Sequence, residues 1–188
     1  MKALKLYMLL LGCKPKGRHT EQHDIFFGIG KNLADLKPHI LNFWPDAGKI
    51  HIDAWRAVTN VDGHAIQIVA KNDTDSIHLK PQLFFLNLGG YKLNEFEEYH
   101  YKMVHVDTNK AAAIKAAIQS TFYKHNSFTG ATSHIDDKYG VDVDDIFAIE
   151  DILSNNFKQQ FCIEVDTTIN NNLPTDIINL GYLKWSAF

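Results

Sequence analysis

Cysteine is nearly absent from this chain of 188 residues, which has only Cys13 and Cys162. Two cysteines exclude a disulfide framework, and their separation has no metal-ligand spacing. A reduced, cytoplasmic protein is the expectation. Positive charge is also in short supply: the formal net charge is -3, which argues against a protein that binds nucleic acid by neutralising phosphates. No run of five like charges marks a tail. No apolar run approaches the roughly 20 residues of a transmembrane helix, so no membrane partner is expected. What the chain does have is a 45% hydrophobic content with 12 Phe and 7 Tyr, enough for a real core and suited to sheet-rich packing. Ten His are scattered along it.

Three stretches recur in the same order with similar gaps. Leu4 to Gly12 is echoed by Leu83 to Gly90, Glu21-Gln22-His23 by Glu98-Tyr99-His100, and His51-Ile52-Asp53 by His134-Ile135-Asp136. Recurrence of this kind reads as a duplicated unit. It also overrules a rival reading of the first residues. Lys2, Lys5 and Leu6 to Leu11 before Gly12-Cys13 have the outline of a lipoprotein signal peptide. The equivalent stretch Leu83 to Gly90 lies mid-chain, where no signal operates, so both copies read as buried strands ending at glycine.

The first copy (1–71) reads as strands Lys5 to Leu11 and Asp24 to Ile29, a helix capped by Asn32 that breaks at Pro38 or is instead a short turn followed by a helix beginning at Pro38, then strands Lys49 to Val58 and Ala65 to Ala70. Asp62-Gly63 is a strong turn signal between the last two. Residues 72–80 read as a polar linker. The second copy (81–153) reads as strands Leu83 to Leu88 and Tyr99 to Val106, a helix from Lys110 to about Tyr123 capped by Thr108 or Asn109, and strands Ser133 to Asp136 and Asp145 to Ile149. The extension 154–188 offers a short helix near Ser154 to Gln160, a strand Phe161 to Val165 and an aromatic tail that docks on its own domain or forms a homodimer contact. Each unit is thus β-β-α-β-β. The fold class expected is α+β, a tandem duplication with mostly antiparallel sheet and helices packed on it, arranged as a pseudo-twofold pair.

The chain resembles the bacterial family Domain of Unknown Function 1543. The resemblance is carried by Leu11-Gly12-Cys13-Lys14-Pro15-Lys16-Gly17-Arg18, Glu21-Gln22-His23-Asp24, and Gly48-Lys49-Ile50-His51-Ile52-Asp53-Ala54-Trp55-Arg56. It continues in Phe85-Leu86-Asn87-Leu88-Gly89-Gly90-Tyr91 and from Ala131 through His134-Ile135-Asp136 to Asp145. In that family the domain occurs singly or as two copies. The resemblance implies no activity, substrate, cofactor or catalytic residue.

The candidate site residues are those the repeat keeps. Spacing of two on a strand puts Glu21 and His23, and likewise Glu98 and His100, on one face. A carboxylate beside an imidazole orients a base, ligates a metal, or simply closes a sheet edge as an ion pair. His51 and Asp53 share a face around Ile52, as His134 and Asp136 do around Ile135. If the Ile residues face the core, these side chains join Glu21 and His23 only if the second face is also covered, or if a bulge resets the register. Glu21, His23, His51 and Asp53 together have the ligand types for zinc, manganese or iron.

Other motifs read as structural. The acidic stretch Asp136 to Asp145 lacks the order and the terminal Glu of a calcium loop, and fits a strand with one wet face. Gly28-Ile29-Gly30 before a helix has neither a third fingerprint glycine nor a P-loop lysine. Cys13 sits near Lys14, Lys16 and Arg18, a setting that lowers a thiol pKa, but the second copy has Gly90 there. The function expected is binding of a small ligand or a protein partner without catalysis. The alternative is a metal-assisted hydrolase built on the repeated Glu, His and Asp residues.

Overall fold

The apolar stretch Leu6 to Leu11 lies in strand β1 (Lys5–Cys13), which is central in a sheet. In the computed structural model, which describes residues 3–71, 81–91, 94–119 and 143–187, β1 is antiparallel to β2 (Gln22–Gly30) on one side. Between β2 and the third strand lie a 3-10 turn (Leu33–Leu36), capped by the Asn32 side chain on the Ala34 amide, and helix α1 (Lys37–Phe43). Pro38 stands in the first turn of α1, where no intrahelical N–H is needed, so the short turn followed by a helix is the reading that holds, with the helix beginning one residue earlier. Strand β3 (His51–Val58) then returns antiparallel to the other side of β1. β4 (Asn60–Val61) and β5 (His64–Ala70) form a hairpin. Its turn residues Asp62 and Gly63 have φ of 55° and 81°, as a two-residue primed turn requires.

Directly paired residues share a face of a sheet. Leu9, Phe26 and Trp55 stand in one row and Leu11, Asp24 and Ile52 in the next, on the same face. Leu9, Leu11, Phe26 and Ile52 are buried there with Leu36 and Ile40, and the Phe43 ring meets Phe26 edge-on at 5.4 Å. The next row along β1 (His23, Gly12, His51) belongs to the opposite face.

The chain divides into two units, Met1–Asp75 with Leu153–Phe188, and Ser76–Ile152. The second unit has β6 (Gln82–Tyr91) at its centre, antiparallel to β7 (Glu98–Asp107) and to β8 (Val143–Ala148). Helix α2 (Lys110–Ile118) lies between β7 and β8 in sequence. Its N-terminus is satisfied by the Asn109 side chain, which accepts from the Ala112 amide. Its alanines allow close approach: Ala113 and Ala117 pack on Phe84, Leu86 and Leu88 of β6. The short helix α3 (Ile149–Ile152) closes this unit.

The last residues go back to the first unit. Helix α4 (Asn155–Gln160) leads into β9 (Phe161–Val165), which pairs with β5, and β10 (Asn179–Lys184) pairs with β3. The sheet order is β10-β3-β1-β2. What the sequence sets apart as an extension therefore completes the first unit's sheets. Asp176 ties the approach to β10 down, accepting from the Thr59 amide and, at 2.6 Å, from the Thr59 hydroxyl.

The fold is α+β with mostly antiparallel sheets. In the second unit the assignment of strands differs from the sequence reading. The segment after Val143, expected as the fourth strand, is paired with the central strand in the way β3 is paired with β1. The expected strand Ser133 to Asp136, the linker 72–80 and the continuation of α2 to Tyr123 lie outside the described residues. Among the described residues, no helix is long and apolar enough to cross a membrane.

Candidate metal centre

The four candidates of the first copy come together. His23 Nε2 lies 3.2 Å from Asp53 Oδ2 and 4.0 Å from Glu21 Oε2. His51 Nε2 lies 3.2 Å from Asp53 Oδ1 and 3.6 Å from Glu21 Oε1. Ligand atoms about 2.1 Å from a tetrahedral zinc ion stand about 3.4 Å from one another, and the observed separations bracket that distance. One donor atom each from Glu21, His23 and His51 fall within 4.8 Å of one another.

Two local features of the backbone produce this convergence. The first is a β-bulge. Leu10 pairs with Ala54 and Leu11 with Ile52, so Asp53 has no partner on β1 and is the extra residue. Ile52 stays in the core while Asp53 turns toward the histidines. The second is Gly12, which lies between His23 and His51 in the ladder. A Cβ on Gly12 would stand 2.3 Å from His51 Nε2 and 2.6 Å from Asp53 Oδ2, so only glycine leaves room for the cluster.

Burial is graded across the set. His51 is 3% exposed, the one buried polar residue among those described, and the Tyr182 ring of β10 stacks on it at 4.2 Å. Glu21 and His23 are half-open to solvent. His51 Nε2 and Asp53 Oδ2 are buried and make no hydrogen bond, although each has a neighbour at 3.2 Å. A buried imidazole nitrogen without a hydrogen-bond partner is costly in water-exchange terms, by about 1–3 kcal/mol, unless something else satisfies it.

The second unit repeats part of the arrangement. His100 Nε2 lies 3.2 Å from Asp144 Oδ2 and 3.8 Å from Glu98 Oε2. Gly89 pairs with His100 as Gly12 pairs with His23. A Cβ on Gly89 would meet Asp144 Oδ2 at 2.6 Å. The pairing skips Asp144 between Val143 and Asp145, so this Asp is again the bulged residue. Asp144 is the residue the sequence pattern hides, because the acidic stretch reads as a plain alternating strand. The signal was an Asp directly followed by a second polar residue, which breaks the alternation where the bulge falls. His134 and Asp136 lie outside the described residues. The second set thus consists of Glu98, His100 and Asp144, with one histidine where the first has two.

Other motifs take no part. Cys13 follows Gly12 on β1, so its side chain lies on the opposite, core face, fully buried. Burial, with the charge of Glu21, pushes its thiol up, the wrong direction for a nucleophile. Gly28-Ile29-Gly30 ends strand β2, and just beyond it the Lys31 amide donates to the Asp35 carboxylate at 2.8 Å and the Ala34 amide to Asn32, so these donors are already used within the chain.

Residues 18–68 match the model of a family described as Domain of Unknown Function (DUF1543), the family that the sequence motifs resemble. The matched stretch contains Glu21, His23, His51 and Asp53. The structure is similar to that of a protein Il1583 from Idiomarina loihiensis, with a TM-score of 0.64 and 19% identity over 96% of this chain and 97% of that one. At that identity the likeness shows the fold alone. No curated protein matches the chain.

Proposed function

We propose that this protein is a divalent-metal-binding module whose principal site is the Glu21, His23, His51 and Asp53 cluster. One observation carries the reading: the buried, unbonded His51 Nε2 has Asp53 Oδ1 at 3.2 Å and Glu21 Oε1 at 3.6 Å, and Glu21, His23 and His51 each offer a donor atom within 4.8 Å of the others. Two imidazoles with two carboxylates suit zinc, manganese or iron(II), not calcium or magnesium, which prefer all-oxygen shells. Glu98, His100 and Asp144 form a second, weaker site with fewer nitrogen donors. The matching β3-β1-β2 and β8-β6-β7 orders, the equal Gly–His pairings and the bulged Asp of each unit support descent from one duplicated β-β-α-β core. Two free cysteines fit a reducing cytoplasm.

Calorimetric titration of chelator-stripped protein with Zn2+ tests this. The expected result is a first equivalent bound tightly and a second more weakly. Loss of an outer partner of a metal ligand typically costs 10–100-fold, so His51→Ala and His23→Ala each weaken the first step by about 100-fold or more. Unchanged affinity in both variants would contradict the assignment. A second reading, metal-assisted hydrolysis, is favoured by the solvent-open side at Glu21 and His23, which leaves the ion an exchangeable position for water.

A further inference from the structure

We infer that the metal centre of the first unit takes a phosphate-class oxyanion as a co-ligand, gathered by the connection between β1 and β2; this rests on the metal reading above. That connection, residues 14–20, leaves β1 at Cys13 and rejoins the sheet at Glu21 and Gln22, one rung from the Gly12–His23 pair. A rung is about 3.3 Å of strand, so the loop sits at the end of the sheet that holds the ligands. It carries Lys14, Lys16, Arg18 and His19, all exposed, and no acidic residue. None of Lys14, Lys16 and Arg18 pairs with a carboxylate among the described residues. Its path is ordered by a turn, with Arg18 N donating to Pro15 O at 3.2 Å and Gly17 at φ 83°.

The burial gradient selects the same side. On β3, His51 is closed off by Tyr182, so an exogenous ligand cannot approach across β10. Glu21 and His23 are the open donors, and they adjoin the basic loop. A metal ion with an exchangeable position beside lysine and arginine side chains binds a small oxyanion at two points, by coordination and by charge-assisted hydrogen bonds. The corresponding loop of the second unit has the opposite character. Its sequence has a single cation, Lys92, against Glu95 and Glu97 before β7, and Glu95 accepts from the Tyr99 hydroxyl. Because that loop's charge balance is negative, against three cations and no acid in residues 14–20, oxyanion capture is assigned to the first unit.

The test uses the full chain loaded with one equivalent of Mn2+ and inorganic phosphate as the probe, read by paramagnetic relaxation of the 31P signal. Wild type is expected to enhance 31P relaxation saturably. The variant carrying Lys14→Gln, Lys16→Gln and Arg18→Gln is expected to hold Mn2+ as before and to bind phosphate about tenfold or more weakly, the loss of charge-assisted contacts worth about 1.4 kcal/mol or more. Mn2+ uptake with no phosphate relaxation, or with equal phosphate binding in the two proteins, overturns this inference and leaves the metal site standing. Failure of wild type to take up Mn2+ overturns both.

Discussion

Gly12 is the residue on which the cluster depends most simply, because it contributes no atom to it. Its missing side chain is the space into which His51 and Asp53 project. Gly12→Ala is expected to leave the circular dichroism spectrum near that of wild type and to weaken Zn2+ binding at least about tenfold, by displacing the His51 ring and Asp53. A calorimetric titration equal to wild type would show that the ring has room to move. At this scale much of the site was legible. The Glu-x-His and His-x-Asp spacings place side chains on common faces by the two-residue period alone. Bringing the two pairs together needed a bulge, and a bulge depends on how two strands pair, which one strand's pattern does not encode. Asp144 escaped for the same reason. Tyr182 escaped because its contact with His51 is made between strands far apart in sequence.

Strand β10 is the element that the sequence conceals best. Gly181 at φ 118° interrupts it, and its pairing with β3 shifts register between Leu180 and Leu183, so no clean alternation survives. The sequence registers only an aromatic tail that docks on its own domain. Docking is in fact by strand pairing, by the Tyr182–His51 stack, by Lys37 over the Trp185 ring at 5.7 Å and by Asp176 on Thr59. The elements with uninterrupted apolar patterns, β1, β2, β5 and β9, were readable within a residue or two. Tyr182→Ala is expected to lower unfolding free energy by about 1 kcal/mol, the usual worth of an aromatic stack beyond its area. Asp176→Ala leaves the Thr59 amide and hydroxyl without their acceptor and is expected to cost about 1–3 kcal/mol. Urea unfolding followed by tryptophan fluorescence measures both, and midpoints equal to wild type would mean that β10 holds without these contacts.

For the whole molecule, the sequence suggests a duplication whose second His-Ile-Asp, His134 to Asp136, lies outside the described residues, while the strand paired with β6 as β3 is with β1 is Val143–Ala148. The two units therefore carry similar clusters of unequal composition, and they should respond to metal unequally. A ligand that binds only the folded state at 100 times its Kd stabilises it by about 2.7 kcal/mol. Low Zn2+ concentrations are expected to slow amide exchange in β1, β2, β3 and β10 first, with β6, β7 and β8 following only at higher concentration. Exchange slowed equally in both units at the first equivalent would contradict the ranking of the two sites.

The claim beneath all of this is that Glu21, His23, His51 and Asp53 surround an ion. The most direct measurement is an anomalous difference map at the zinc edge from crystals of the protein grown with one equivalent of Zn2+. The account predicts a strong peak about 2.1 Å from His23 Nε2 and His51 Nε2, with Glu21 or Asp53 oxygen completing the shell. A map with no peak there, or with zinc only at other surface histidines, would contradict it.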